Sequence, residues 1–486
     1  MGRNPYSKDG EEWKESESEA VPQSSETDVK TNAETGTETD ADKKKDNKKN
    51  KSGKTPEKRK MLYVVLSAVL AVVCFLMGGL ATWFSLDKEM RSLVRLKDKM
   101  QEEYYENITD KQFYDTIFNS INRTLLDDYS WYMTSDEYKD MRSSGKGNKS
   151  GIGVTVRTQD ETGAPQIRIL CVCGNSPAEA SGLLEGDLIL GYGKTESDIT
   201  DDTEFDNFTA FLETVEDNQT FYVKIQRGSE SKVLPLYKAQ FKESYVFYRT
   251  SDTAYRFTGS KADKLTEGGE PLAALPQKAA YIRLTQFNGE AAEQFDEVME
   301  RFQADKKQDL ILDLRGNGGG YLDILEDIAS YFCKTADERR PVVAVADYGE
   351  YKEEFYAKGN YYYDYFTENS RICVLADMDS ASASECLIGC MLDYGAIEYG
   401  DICLSERNGI AKTYGKGIMQ TTYPLSIFGG DAVKLTTAKI CWPKSGNCIH
   451  GRGVLPEDGA KVVLESYEKD AEITAAVSVL YQSATV

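Results

Sequence analysis

The 486-residue chain contains a single histidine, His450. An HExxH zinc site needs two histidines on one helix face, so that chemistry is excluded. A Ser-His-Asp triad would have to use His450 or nothing. No paired C-x-x-C modules occur, so a cysteine-held metal is not expected either. Nothing in the chain calls for a metal or a cofactor. Basic charge is also in deficit. The net charge is −22, and a nucleic acid needs a basic face to meet its phosphates, so nucleic acid is not expected as a partner. No internal repeat stands out. The length exceeds one ordinary core and predicts two or three domains.

One long apolar run is present. From Met61 to Leu86 no residue is charged, and Leu, Val and Ala dominate. Roughly 20 apolar residues span a bilayer, whereas the apolar part of a signal peptide is about 7–15 residues. Residues 61–86 therefore read as an uncleaved transmembrane anchor. Lys51, Lys54, Lys58, Arg59 and Lys60 precede it, with Lys43, Lys44, Lys45, Lys48 and Lys49 just before them. The positive-inside rule keeps that end in the cytoplasm and puts the rest of the chain outside. Residues 1–60 have almost no large apolar groups and predict a disordered cytoplasmic tail. Residues 87–149 read as a helical stalk, with Leu93, Leu96 and Met100 at helical spacing and a linker over Ser143–Gly151. Nine of the ten cysteines follow the anchor. Cys441 and Cys448, flanking a glycine-containing turn, are the best candidates for a disulfide.

Residues 150–240 carry strand patterns around Gly151-Ile-Gly-Val154, Gln166–Cys173, Glu185-Gly-Asp-Leu-Ile-Leu190 and Thr220–Gln226, with a helical stretch near Asn207–Glu216. In this order the pieces resemble a PDZ domain of the bacterial protease type. The resemblance implies that Gly151, Ile152, Gly153 and Val154 present backbone N–H groups to a peptide carboxylate, with the peptide added as a strand. From 241 to 465 strands alternate with helices, which predicts an α/β core. Phe295, Val298, Met299 and Phe302 mark one helix face. Residues 466–486 predict a C-terminal helical segment.

Three local signals in this core bear on chemistry. Asp313-Leu-Arg-Gly-Asn-Gly-Gly-Gly320 is a glycine-rich turn between a strand and a helix, able to turn backbone N–H groups toward an anion. It lacks the Lys-Ser/Thr of a P-loop and does not fit the dinucleotide fingerprint, which leaves phosphate binding and an oxyanion hole as its uses. Ser380-Ala-Ser-Ala-Ser-Glu385 opens an apolar helix. Its serines read as helix caps or as a nucleophile at the positive end of the helix dipole. Tyr414-Gly-Lys-Gly-Ile-Met-Gln420 sets a lysine between two glycines. That lysine is either a solvated loop charge or a buried amine that serves as a base.

Taken together, and followed by Leu435-Thr-Thr-Ala-Lys439 and Ile449-His-Gly-Arg-Gly-Val-Leu-Pro-Glu457, these signals resemble the carboxyl-terminal processing peptidases, or tail-specific proteases, over roughly residues 110–465. The resemblance implies a crotonase-like α/β core and a serine peptidase that cuts proteins near their C-termini. It assigns Ser382 as nucleophile, Lys416 as general base and Gln420 as its helper, with the N–H groups of Ala383 and Gly319 as oxyanion donors. It also brings an expectation of a homodimer. Two departures stand out. Gly316 and Gly318 replace the family's usual Asn and Pro, and Ser382 and Lys416 lie 34 positions apart. An extra segment over about Ile402–Lys412, read as a surface insertion, accounts for the longer spacing. The competing reading is a catalytically silent scaffold that holds exported protein tails.

Overall fold

The structure is a computed structural model that describes residues 56–160, 162–258, 265–426, 430–466 and 470–482. The tail predicted for residues 1–60 lies outside the described residues as far as 55, and residues 56–60 open the first helix. The described residues divide into two compact units, one as far as residue 120 and one from residue 121 onward.

In the first unit the helix Pro56–Ser85 is followed by Lys88–Glu103 and by the helix that begins at Asp110. Tyr63–Ser85 is long and apolar enough to cross a membrane. At about 1.5 Å per residue, its 23 residues exceed a hydrocarbon core of about 30 Å.

The second unit is mixed α/β. Its central sheet runs in the order 266–267, 254–256, 246–249, 279–284, 309–313, 372–376, 402–405, 461–463. The last five strands are parallel and the first three antiparallel. Alternate side chains of a strand face opposite sides, and both faces are covered. Ala280, Ile282, Leu310, Leu312 and Val374 pack with the helices Ala291–Ala304, Leu322–Ala329 and Ala383–Asp393. Tyr281, Ile311, Cys373 and Leu375 pack with the C-terminal helix Ala471–Gln482. The helix face of Phe295, Val298, Met299 and Phe302 is fully buried. A separate antiparallel sheet joins Trp131–Met133, Ala432–Cys441, Val342–Asp347 and Lys352–Tyr356, with Ile418–Pro424 paired to Ala432–Cys441. The block over 154–236 is a six-stranded sheet with its own apolar core, built on Ile167, Ile189, Phe208, Phe221, Val223 and Ile225.

Three expectations need correction. Ser143–Gly151 is not a free linker. The helix Ser135–Gly145 starts from a capping box in which Thr134 and Glu137 satisfy each other's N–H groups. Asn148–Gly151 then pairs antiparallel with Ala239–Lys242. Gly147 has φ +77°, a conformation that favours glycine, and a Cβ on Gly289 would meet its Cα at 2.8 Å, so the two backbones approach closely there. Nor does the segment about Ile402–Lys412 begin as a surface insertion. Ile402–Ser405 is a fully buried strand between Ile372–Ala376 and Lys461–Val463. Finally, Cys441 and Cys448 are not bonded, and all ten cysteines are free thiols. The Cys448 thiol instead lies against the carbonyl of Gly417 at 3.4 Å.

The helix Ala383–Asp393 makes one close contact away from its N-terminal end. A Cβ at Gly389 would lie 2.1 Å from Nε1 of the buried Trp442. Gly389→Ala should therefore cost about 1–3 kcal/mol through overpacking. Thermal unfolding of the variant measures it, and an unchanged melting temperature would show that the indole moves aside freely.

Candidate active site

Ser382 sits at the N-cap of the helix Ala383–Asp393 with φ +54° and ψ −114°. A non-glycine residue at positive φ is strained by about 1–3 kcal/mol and persists only where its surroundings over-determine it. The determinants are visible. The N–H of Ala381 donates to the Asn317 carbonyl at 3.0 Å. The Ser384 hydroxyl donates to the same carbonyl at 2.9 Å. The N–H of Ser382 donates to Glu385 Oε2 at 3.1 Å. Ser380 is turned away, its hydroxyl donating to the Leu314 carbonyl at 2.8 Å. Of the three serines, Ser382 alone lines the cavity beside Lys416, with Ala383, Cys386, Leu325 and Met419 around it. This cavity is about 10 Å³, close to the minimum for one water molecule. A peptide can enter only if it opens.

Lys416 reaches this cavity from the loop after residue 412. Gly415, at φ +94°, packs so closely on the backbone of Arg452 that a Cβ there would meet its nitrogen at 2.9 Å. Gly417 packs on the backbone nitrogen of His450 in the same way, at 2.8 Å. This explains the glycines on either side of the lysine. The loop is pinned by Tyr414 N–H to the Ser380 carbonyl at 3.0 Å and by Gly451 N–H to the Gly415 carbonyl at 2.7 Å. Lys416 is buried, with Nζ 4.7 Å from the centre of the Tyr129 ring. Burial, and after it the nearby Lys434, holds the amine well below the ordinary lysine value.

The sequence reading assigned no role to Glu385. Its carboxylate is fully buried and accepts from Ser382 N–H, from Gly415 N–H at 2.8 Å, from Lys416 N–H at 2.8 Å and from the Thr413 hydroxyl at 2.5 Å. One side chain thus joins the backbones that carry Ser382 and Lys416. Burial pushes its pKa up, while the Thr413 hydroxyl and the three N–H groups pull against that. The signal was present in the sequence as Ser-x-x-Glu, a capping box. What the box reaches beyond its own helix was not.

The glycine-rich turn lies directly against Ser382. A Cβ on Gly319 would meet Ser382 Cβ at 2.8 Å and Ala383 N at 2.9 Å. The N–H of Gly319 donates to Asn317 Oδ1 at 2.9 Å, so one of the two expected donors is engaged within the turn. Ala383 is the first residue of its helix, and such an N–H has no acceptor within the helix. Gln420 is fully buried. Its Nε2 is 3.4 Å from Thr436 Oγ1, and its Oε1 has no partner among the described residues. A buried ionic network fixes the turn from behind. Arg315 pairs with Asp313 and Glu472, Arg407 with Glu472 and Asp377, and Asp377 Oδ1 accepts the Gly316 N–H at 3.0 Å. Asp313 is held at about 2, with burial opposing and Arg315 prevailing. Among the described residues no cluster could hold a metal ion.

The loop Gly151–Val154 lies elsewhere in this unit. The Ile152 carbonyl accepts Ala178 N–H at 2.8 Å, and the Gly153 carbonyl accepts Cys173 N–H at 3.0 Å. Gly151 and Gly153 have φ of +123° and +80°.

Removing the Glu385 clamp should separate geometry from folding. Glu385→Ala leaves buried N–H groups of Gly415 and Lys416 without their acceptor, at about 1–3 kcal/mol each. Glu385→Gln keeps the shape but offers a donor where an acceptor is needed. It should stay folded while losing roughly 100-fold in hydrolysis of fluorescent casein, about 3 kcal/mol of transition-state stabilisation. Urea unfolding and casein turnover measure the two effects. Wild-type turnover in Glu385→Gln would refute the clamp.

Comparison with known proteins locates this arrangement. A family model described as peptidase family S41 matches residues 278–458. The chain is 26% identical over 403 residues to a probable CtpA-like serine protease of Staphylococcus saprophyticus, covering 81% of this chain and 70% of that protein. It is 26% identical over 376 residues to the carboxy-terminal processing protease CtpB of Bacillus subtilis, covering 76% and 67%. Among solved structures it is similar to a photosystem II D1 C-terminal processing protease, with a TM-score of 0.47 and 21% identity over 79% of this chain and 89% of that one. The matched family segment contains the glycine-rich turn, Ser382, Glu385 and Lys416, so over residues 278–458 the chain is similar to peptidase family S41, and its relatives are named as carboxyl-terminal processing and CtpA-like serine proteases.

Proposed function

We propose that this chain is a membrane-anchored endopeptidase that cleaves exported proteins near their C-termini, with Ser382 as nucleophile and Lys416 as general base. The observation that carries the reading is the shared cavity. Ser382 and Lys416 line one small buried space, and Glu385 bridges their backbones. A lysine held well below its ordinary value gives up its proton more readily, and the neutral amine can take the serine proton. Ser382 Oγ then attacks the scissile carbonyl. The Ala383 N–H meets the developing oxyanion, joined by the Gly319 N–H once it exchanges Asn317 for substrate. The Lys416 ammonium returns its proton to the leaving amine. A water then cleaves the acyl-enzyme by the same route in reverse. Gln420, beside Thr436, steadies the base when its Oε1 takes up the lysine ammonium.

The remaining parts serve delivery. Residues 150–240 act as a PDZ-type module. The strand Val154–Gln159 is at an edge of its sheet, with one side available to an added peptide strand, and Gly151–Val154 precedes it as the carboxylate loop. The helix Tyr63–Ser85, with lysines on its N-terminal flank, anchors the chain and leaves the peptidase outside the cytoplasm. The silent scaffold has one observation in its favour, the closed cavity. It is distinguished by the same experiments.

Ser382→Ala should abolish casein hydrolysis and fluorophosphonate labelling without unfolding the protein. Lys416→Arg should be as inactive as Lys416→Ala, because a guanidinium does not deprotonate. His450→Ala should retain substantial turnover. Activity should rise with pH to a midpoint below the roughly 10.4 of a free lysine. An active Lys416→Arg beside an inactive, folded His450→Ala would return the case to histidine. Delivery has its own test. The intact protein should prefer a peptide with a free C-terminal carboxylate over its C-terminal amide by kcat/KM. Equal cleavage of the two would remove the carboxylate-reading role.

A further inference from the structure

A second lysine is buried near the first. Lys434, on the strand Ala432–Cys441, is only 2% exposed and is among the largest fully buried side chains. Its Nζ lies 4.8 Å from the centre of the Trp131 ring. Lys416 Nζ lies 4.7 Å from the centre of the Tyr129 ring. Tyr129 and Trp131 are two residues apart, so their Cα atoms are at most about 7 Å apart. One short segment therefore holds both amines.

That segment is firmly attached. Trp131 is registered opposite Lys434. The Ser130 hydroxyl accepts Thr436 N–H at 2.8 Å, and Thr436 is also the partner of Gln420. The Tyr129 hydroxyl meets that of Tyr414, next but one before Lys416, at 3.2 Å. Tyr129, Ser130, Trp131 and Lys434 belong to none of the three sequence signals, and Tyr129 and Trp131 precede the matched family segment altogether.

We propose that Lys434 is a positioning residue for catalysis: its buried ammonium, held on Trp131, adds a fixed positive charge to the burial that favours the neutral form of Lys416, so that the amine can act as base. The inference rests on the Ser382–Lys416 reading. The physical reason is like-charge repulsion in a site shielded from water, the device by which a neighbouring cation activates a catalytic lysine. Tyr129, half-buried over Lys416, supplies part of the shielding wall. The other ionisable groups around Lys416 do not replace Lys434. Glu385, from the serine helix, acts in the opposite sense when ionised and is bound to backbone N–H groups. His450, from the loop behind Gly417, is kept below its ordinary value by burial and by Lys439. Tyr129 and Tyr414 hydrogen-bond each other, and burial raises Tyr129. The Cys386 thiol in the cavity is also raised by burial. Lys434 is the cation among them whose effect on Lys416 favours the neutral amine.

The test is the rate of labelling of the full-length protein by a fluorescent fluorophosphonate across pH. Ser382→Ala and Lys416→Met should not label. If either labels like wild type, the dyad reading fails and this inference falls with it. If both are silent, Lys434→Met should move the midpoint upward by about one pH unit, so that labelling at pH 7 drops about tenfold. Lys434→Arg keeps the charge and should keep the wild-type midpoint. A midpoint unchanged in folded Lys434→Met would overturn the proposal while leaving the dyad intact. Equal shifts in the Met and Arg variants would overturn it too, since packing and not charge would then be responsible. Should Lys434→Met not fold, Trp131→Leu, at a half-buried position, frees Lys434 from its ring. It should shift the midpoint in the same direction by less, and no shift there would overturn the proposal.

Discussion

The buried carboxylate of Glu385 is the contact on which the site's geometry depends. It takes one N–H from the residue that caps its own helix and two from a loop 30 residues further on. A buried carboxylate costs several kcal/mol unless its lone pairs are satisfied, and here four donors satisfy them. The same bonds supply acceptors for the buried N-terminal end of the helix and for the loop around Gly415. The backbones that carry Ser382 and Lys416 are thereby tied to one side chain.

The glycine-rich turn faces Ser382 from the other side, and its constraints are steric as much as electrostatic. Gly319 and Gly320 lie where a Cβ would strike Ser382 and the Phe287 carbonyl. The turn is braced by ion pairs that end on Glu472 in the C-terminal helix, so the last element of the fold supports one of the earliest parts of the site. The N-terminal stretch of the same unit contributes as well. Tyr129 and Trp131 lie on two buried lysines. The site is therefore assembled from both ends of a unit that begins at residue 121.

The cavity is about 10 Å³, and the Gly319 N–H is held by Asn317 Oδ1 at 2.9 Å. Under the proposed reading, substrate binding requires that bond to break and the apolar wall of Leu325 and Met419 to part. A peptidase that waits closed limits unwanted cleavage, at the cost of a step before binding.

Local patterns in the sequence were enough to locate the α/β core, the buried face of the helix Ala291–Ala304, the long apolar helix and the three motifs that meet around Ser382. Each rests on periodicity or on residue types within a few positions, and such signals survive without knowledge of the partner. The sequence misplaced Ser143–Gly151 and Ile402–Ser405, because glycine and a long motif spacing look like loop until a paired strand claims them. It gave no role to Glu385, Tyr129 or Lys434. A glutamate in a capping box, a tyrosine in a turn and a lysine in a strand are ordinary locally. Their meaning comes from groups 30, 287 and 303 positions away, and only the tertiary structure brings those together and excludes the water that would otherwise screen them.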